Sequence, residues 1–303
     1  MLLKFYDGIS KYMAILREEG NDSIVSIDIG DHYTLCDVAV FLGSWKERDR
    51  PWHEVRRSIA EKSGCFVVIE TPLLNRIVDF QNNQYFRIGI NGFLNNSGNF
   101  AADNADDLRL KDMNISWNGW NRDPDGNIVL FLQLPGDASL RAVDIYSWAE
   151  YTVNSIRSYT DRPIKIRTHP LHKPKDSDGF YRFATELLTR YKNVSLSYGN
   201  QRPLEKDLEC AYCAVTYSSG TAIDSILDGV PVLTTDPGNF AWDISSHYIN
   251  EIENLKLAND NKVVNWLQKL SYSQWSIEEM ESGRAWQHLL PEIINITKSK
   301  KKK

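Results

Sequence analysis

Ser218, Ser219, Gly220 and Thr221 carry the strongest chemical signal in the sequence, within Ala214-Val-Thr-Tyr-Ser-Ser-Gly-Thr-Ala-Ile-Asp-Ser-Ile-Leu-Asp-Gly-Val-Pro-Val232. They fall between an apolar run and a segment whose Ile223, Ile226 and Leu227 recur at helical spacing. A turn of hydroxyls and glycine at a helix start offers open backbone N–H groups and the positive end of the helix dipole. That chemistry suits a phosphate or carboxylate. Gly229-Val-Pro-Val then stops the helix and opens a second strand. Without a ligand the same segment would be an ordinary βαβ crossover.

Two further turns share one property with this one, that each follows an apolar run. They are Gln133-Leu-Pro-Gly-Asp137 and Arg167-Thr-His-Pro170. In an open parallel sheet the loops leaving the carboxyl ends of the strands line one crevice, where ligands bind. Gln133, Arg167, His169 and residues 218–221 are therefore expected to converge into a phosphate cradle, Arg167 and His169 as cation and hydrogen-bond donor. A lone His169 would more simply be a hydrogen-bonded structural histidine.

Positioning these turns requires alternating strands and helices, and the pattern supplies them. Strands are predicted over residues 23–28, 37–42 and 65–70, with a basic helix over 52–61. Residues 81–125 are rich in asparagine and lack periodicity, so they read as a long polar loop region. A second series follows: strand 127–134, helix 144–159, strand 163–167, helix 179–191, strand 194–196, then the opening motif. Ser276-x-x-Glu279 is a capping box ahead of a terminal helix. The expected organisation is α/β, with two Rossmann-like domains facing a cleft: residues 1–125 on the acceptor side, 126–275 for nucleotide-sugar binding, and 276–303 as a helix and basic tail. That helix is expected to pack back on the first domain.

Composition narrows the class. With 303 residues, 42% hydrophobic and 25% charged, the chain suits two soluble domains. A net charge of −5 supplies no global field for a polyanion, although Arg48, Arg50, Arg56 and Arg57 cluster and Lys298-Ser-Lys-Lys-Lys-Lys303 forms a basic tail. The lysine end reads as solvated. Cys210-Ala-Tyr-Cys213 has no second pair to complete a zinc site, and it leads into a strand, so both thiols are expected reduced and structural. No signal peptide and no apolar run of membrane-spanning length is expected, which suggests a cytoplasmic protein. Nine tryptophans and fourteen tyrosines suit core packing first and sugar or base stacking second.

The Gln-x-Pro-x-Asp-like turn, the His169-Pro170 turn and the Ser-Ser-Gly-Thr-Ala-Ile-Asp…Gly-Val-Pro-Val run together resemble the capsular-polysaccharide-synthesis glycosyltransferases. The β-Kdo transferase branch and, more broadly, the donor half of GT-B glycosyltransferases share that pattern. The resemblance covers residues 127–239. It implies that Arg167, His169, Ser218, Ser219, Gly220 and Thr221 hold a donor nucleotide, that the sugar arrives as a nucleotide sugar rather than on a bound cofactor, and that no metal is required. One departure stands out: the helix acid usually read as Glu is Asp224, one methylene shorter.

Glycosyl transfer also needs a base or nucleophile, expected from the first domain. Glu70, at a strand end before Pro72, is the leading candidate, with Asp31, His32 and His53 as rivals, and His169 is the catalytic candidate on the donor side. Asp103, Asp106 and Asp107 read as a solvated acidic loop rather than a metal site. Trp117 and Trp120 would serve the acceptor side or the core. Acceptors consistent with these features are a glycan or a hydroxylated nucleobase in DNA. Competing readings are a nucleotide-sugar epimerase of the same architecture, which would need acids around the sugar, and a non-catalytic nucleotide- or glycan-binding module.

Overall fold

The computed structural model describes residues 2–6, 24–28, 35–44, 51–77, 82–175 and 179–300. The chain forms two compact units, Met1–Ile115 with Leu267–Lys303, and Ser116–Trp266. The division lies ahead of the Asp125-Gly126 turn, and everything from Leu267 onward returns to the first unit. Asp31, His32, Arg48, Arg50 and the last three lysines lie outside the described residues.

The first unit opens with β1 (Leu2–Tyr6), β2 (Ile24–Asp28), β3 (Val38–Leu42), α1 (Pro51–Lys62) and β4 (Phe66–Glu70). These four strands run parallel in the order β2-β1-β3-β4. β3 and β4 are buried along nearly their whole length, as strands covered on both faces must be. β1 escaped the sequence reading because Lys4 breaks its short apolar run. α1 turns Val55 and Ile59 inward, one helical turn apart. The asparagine-rich region is not structureless: it contains β5 (Tyr85–Ile90), antiparallel to β4, and the short α2 (Leu108–Asp112).

The second unit is a doubly wound sheet. β6 (Asn127–Phe131), α3 (Ile145–Ile156), β7 (Ile164–Arg167), α4 (Phe180–Arg190), β8 (Val194–Ser197), α5 (Glu205–Leu208), β9 (Ala211–Thr216), α6 (Thr221–Leu227) and β10 (Val232–Thr234) follow one another. All five strands are parallel, ordered β10-β9-β6-β7-β8. The chain thus builds outward from β6 through β7 to β8, then reverses and builds outward through β9 to β10. Ile128, Leu130, Val215 and Leu233 pack with Ile145, Ala149, Val153, Phe183 and Leu187 into one core. Alternate residues such as Val129, Phe131 and Ala214 are buried too, and by strand periodicity they face the other side. α6 packs against β9 and β10 there.

α7 (Asp260–Tyr272) leads back to the first unit, where β11 (Gln274–Ser276) pairs antiparallel with β5 and completes a six-stranded sheet. α8 (Ile277–Glu281) begins with the expected capping box between Ser276 and Glu279, and α9 (Arg284–Lys300) follows. Buried Gln274 accepts from the Leu73 and Leu74 amides at 2.7 and 2.8 Å and donates to the Leu74 carbonyl. Buried Arg109 pairs with Glu279, donates to the Ser271 and Gln274 carbonyls, and stacks over Trp275. These contacts tie the asparagine-rich region to the returning segment. No helix among the described residues is long and apolar enough to cross a membrane.

Candidate functional site

Where the winding of the second sheet reverses, β6 and β9 lie side by side and their exit loops must diverge to opposite faces. A crevice forms at such a point in open α/β sheets. Gln133, two residues beyond β6, spans it. Its Nε2 donates to Ser139 Oγ at 2.7 Å and to Ser218 Oγ at 3.1 Å, and its Oε1 accepts from the Ser218 amide at 3.0 Å. Ser218 Oγ in turn donates to the Ser139 carbonyl at 3.0 Å. Asp137 fixes Ser139 through both its amide and its hydroxyl. Two turns eighty-five positions apart in the chain are thereby one polar network.

The start of α6 is arranged differently from a long helix terminus. α6 has only seven residues, so its dipole is small, and the turn itself supplies the donors. Ser219 Oγ accepts from both the amide and the hydroxyl of Thr221, at 3.2 and 2.9 Å, which leaves its own proton to donate. Ala222 and Ile223 amides are taken by the Ser219 and Gly220 carbonyls. The Ser219 and Gly220 amides donate to no protein acceptor among the described residues. Asn239, itself buried, donates to the Tyr217 and Ser219 carbonyls and holds the turn from below. Asp224 sits half-buried in the first turn of α6. Burial, then the charges of Glu205 and Asp224, push the neighbouring Asp228 carboxyl up.

A third loop joins this edge, and sequence reasoning missed it. Asp236, just past β10, has a nearly buried carboxylate that pairs with Arg141. Arg141 directly follows the single helical turn Ala138–Leu140 in the β6 exit loop. Asp236 also accepts from the Gly238 amide at 2.7 Å. Tyr217 is bonded within the same cluster; burial pushes its phenol up, Asp236 adds to that and Arg141 opposes it. Trp148 stands edge-on to Tyr217 and donates to Thr235 Oγ1 at 2.9 Å. Arg141 lies outside every strand-end motif, so only the fold reveals it.

The turn after β7 contributes less than expected. Arg167, read from sequence as a phosphate contact, is 4% exposed, and its guanidinium binds Asp207 at 2.6 Å and the Arg202 carbonyl at 2.7 Å. A fully buried Asp207 demands that partner. It also takes Ser197 Oγ, Arg202 and Lys165; burial would raise its carboxyl, and these donors together hold it below its ordinary value. The structure therefore does not bring Arg167 into the Gln133–Ser218 network. His169 remains half-exposed at the sheet edge, its Nδ1 accepting from the Leu171 amide at 3.1 Å.

The remaining sequence candidates scatter. Glu70 ends β4, and its two oxygens accept from the Ser44 and Thr71 amides at 2.6 and 3.0 Å. His53 is buried on α1. Asp106 accepts from the Leu108 amide and the Tyr272 hydroxyl, and Asp107 pairs with Lys111. No group of three or more His, Cys, Asp or Glu among the described residues is arranged to hold a metal ion. Trp117 and Trp120 belong to the second unit, pack edge to face at 5.0 Å, and donate to Asp260 and the Ala258 carbonyl. Cys213 is fully buried, with its thiol pushed far up by burial, and Cys210 is exposed; neither is in a disulfide.

No protein-family model matches the chain, and no curated protein matches its sequence. Solved structures do. The chain resembles Thermosulfurimonas dismutans KpsC, beta Kdo 2,7 transferase, at TM-score 0.52 and 11% identity, covering 96% of this chain and 100% of that one. The same organism's KpsC beta Kdo 2,4 transferase aligns at TM-score 0.49 and 12% identity, over 88% and 98%. A UDP-GlcNAc 2-epimerase of Methanocaldococcus jannaschii, in complex with UDP-GlcNAc and UDP, aligns at TM-score 0.34 and 11% identity, over 86% and 96%. At these identities the likeness is one of fold, and that fold is GT-B-like: two Rossmann-like α/β units.

Proposed function

We propose that the chain transfers a sugar from a nucleotide-sugar donor, with the donor's phosphate bound at the carboxyl edge of the second sheet. The observation that carries this reading is the Gln133–Ser218 network. It spans the point where the β6 and β9 loops diverge and presents the Ser219 and Gly220 amides there. A neutral substrate gains little from such donors; an anion gains charge-assisted hydrogen bonds. His169, on the neighbouring strand exit, is assigned the hydrogen bond to the leaving phosphate. The acceptor-side carboxylate is assigned to Glu70, whose two amide bonds fix its position.

The KpsC structure aligned at TM-score 0.52 is named as a Kdo transferase, which favours glycosyl transfer over other uses of this fold. The acceptor is proposed to be a hydroxyl of a glycan or of a modified nucleobase. Salt dependence separates these, because each phosphate contact to nucleic acid steepens the loss of affinity with ionic strength.

A thermal-shift screen against nucleoside mono- and diphosphates and nucleotide sugars tests the donor assignment. A ligand present at about a hundredfold its Kd stabilises the folded state by about 2.7 kcal/mol. A clear upward shift with one nucleotide series, followed by sugar release or transfer, is the expected result. No shift with any member of the panel would falsify the proposal.

A further inference from the structure

We infer that Arg141 is the cation that grips the donor's phosphate and that Asp236 is the residue positioning it; this rests on the nucleotide-sugar reading above. Arg141 leaves the β6 loop in a left-handed conformation, φ 48°, and Ala142 follows at φ 69°. Two successive side-chain-bearing residues in that region are uncommon, and such backbone persists where the surroundings fix it, often at ligand sites. Here Asp137 caps the preceding single turn, and the Val143 amide closes onto the Leu140 carbonyl. The effect is to carry the Arg141 side chain across to Asp236, beyond β10.

The pairing is one-sided. The Asp236 side chain is 5% exposed and the Arg141 side chain 40% exposed. Two other closely paired arginines differ. The Arg167 and Arg109 side chains are 5% and 7% exposed and surrounded by acceptors. Arg141 meets Asp236 and Tyr217, and its remaining donors have no protein acceptor among the described residues. The nearly buried Asp236 carboxylate needs a charged partner, but that need occupies only one edge of the guanidinium. A guanidinium pinned along one edge presents its other N–H groups as a rigid fork, the geometry that matches a phosphate. Tyr217 bonds within this cluster and directly precedes the turn that bears the open Ser219 and Gly220 amides, so cation and amides share one edge.

The test compares wild type with Arg141→Gln, Arg141→Lys and Asp236→Asn in the full chain. The probes are the nucleotide that shifts the wild type, its parent nucleoside, and inorganic pyrophosphate. Arg141→Gln is expected to bind the nucleotide and pyrophosphate roughly 10- to 100-fold more weakly, the loss of one charge-assisted contact, with nucleoside affinity unchanged. Arg141→Lys should fall between, since it keeps the charge and loses the fork. Asp236→Asn should weaken the same phosphate-bearing probes by freeing the guanidinium. If the wild type binds a nucleotide and Arg141→Gln binds it equally well, this inference is overturned while the proposed function stands. Equal loss of nucleoside affinity would show a collapsed loop and overturn it as well. A wild type that binds none of the probes overturns both.

Discussion

Gln133 joins two loops through both ends of its amide, an arrangement no aliphatic residue can reproduce. Gln133→Leu would leave the Ser218 amide and hydroxyl without that partner in a half-buried site, a cost of about 1–3 kcal/mol. We expect a lower melting temperature, measured by calorimetry, together with weaker nucleotide binding. A fall in stability with binding intact would place the ligand elsewhere. Asp207 presents the opposite case, a charge that serves the fold. Its carboxyl is held below the ordinary value, so it contributes stability above the unfolded-state value near about pH 4 and loses it as the pH falls through the folded one. Asp207→Asn removes the partner of buried Arg167 and should cost about 3–5 kcal/mol at neutral pH. Acid unfolding of the variant should also be flatter with pH than that of the wild type. Matching pH profiles for the two proteins would rule out this account.

At the scale of elements, the stop of α6 shows how a sequence signal becomes geometry. Gly229 adopts φ 80°, its amide reaches the Ile226 carbonyl and the Val230 amide reaches the Ser225 carbonyl, the paired bonds of a left-handed helix cap. A Cβ at Gly229 would stand 2.8 Å from the Asn121 amide nitrogen and the Gly119 carbonyl oxygen. Gly229→Ala should therefore destabilise the second unit by more than the roughly 1 kcal/mol of left-handed strain alone. Equilibrium unfolding in urea checks it, and a neutral result would mean that the Gly119–Asn121 segment yields freely. Strand-end turns of this kind were legible because glycine, proline and hydroxyl residues punctuate strong apolar runs. The Ser218 turn, the Gln133 turn and the Ser276 capping box were all readable in that way. β1 and β5 were not, because Lys4 and Arg87 interrupt their apolar runs and only pairing with neighbouring strands marks them out. Arg141 was hidden for a different reason: its partner Asp236 lies ninety-five positions away, and nothing local marks either. Arg167 was legible as a cation at a strand end, but its use was not, since Asp207 becomes visible as a buried charge only in the folded unit.

At the scale of the molecule, the chain is not divided where its composition changes. Leu267–Lys303 belongs with Met1–Ile115, while Ser116–Trp266 contains its whole sheet between those segments. The first sheet needs β11 to cover β5, needs Gln274 to satisfy the Leu73 and Leu74 amides, and needs Glu279 to pair with Arg109. Burial alone would raise the Glu279 carboxyl, but Arg109 and the Ser276 amide hold it below its ordinary value. A fragment of residues 1–115 would expose all of these groups at once and should remain unfolded. A fragment of residues 116–272 keeps all five strands of the second sheet, α7 intact, and the complete Gln133–Ser218–Arg141 edge. It should fold cooperatively and bind the same nucleotide as the full chain, with Kd within a few-fold. Circular dichroism and calorimetry of the two fragments decide the first point, and nucleotide titration of the second fragment decides the other. If residues 116–272 fold but bind nothing while the full chain binds, the donor's phosphate edge is insufficient alone, and the first unit must supply part of the nucleotide affinity.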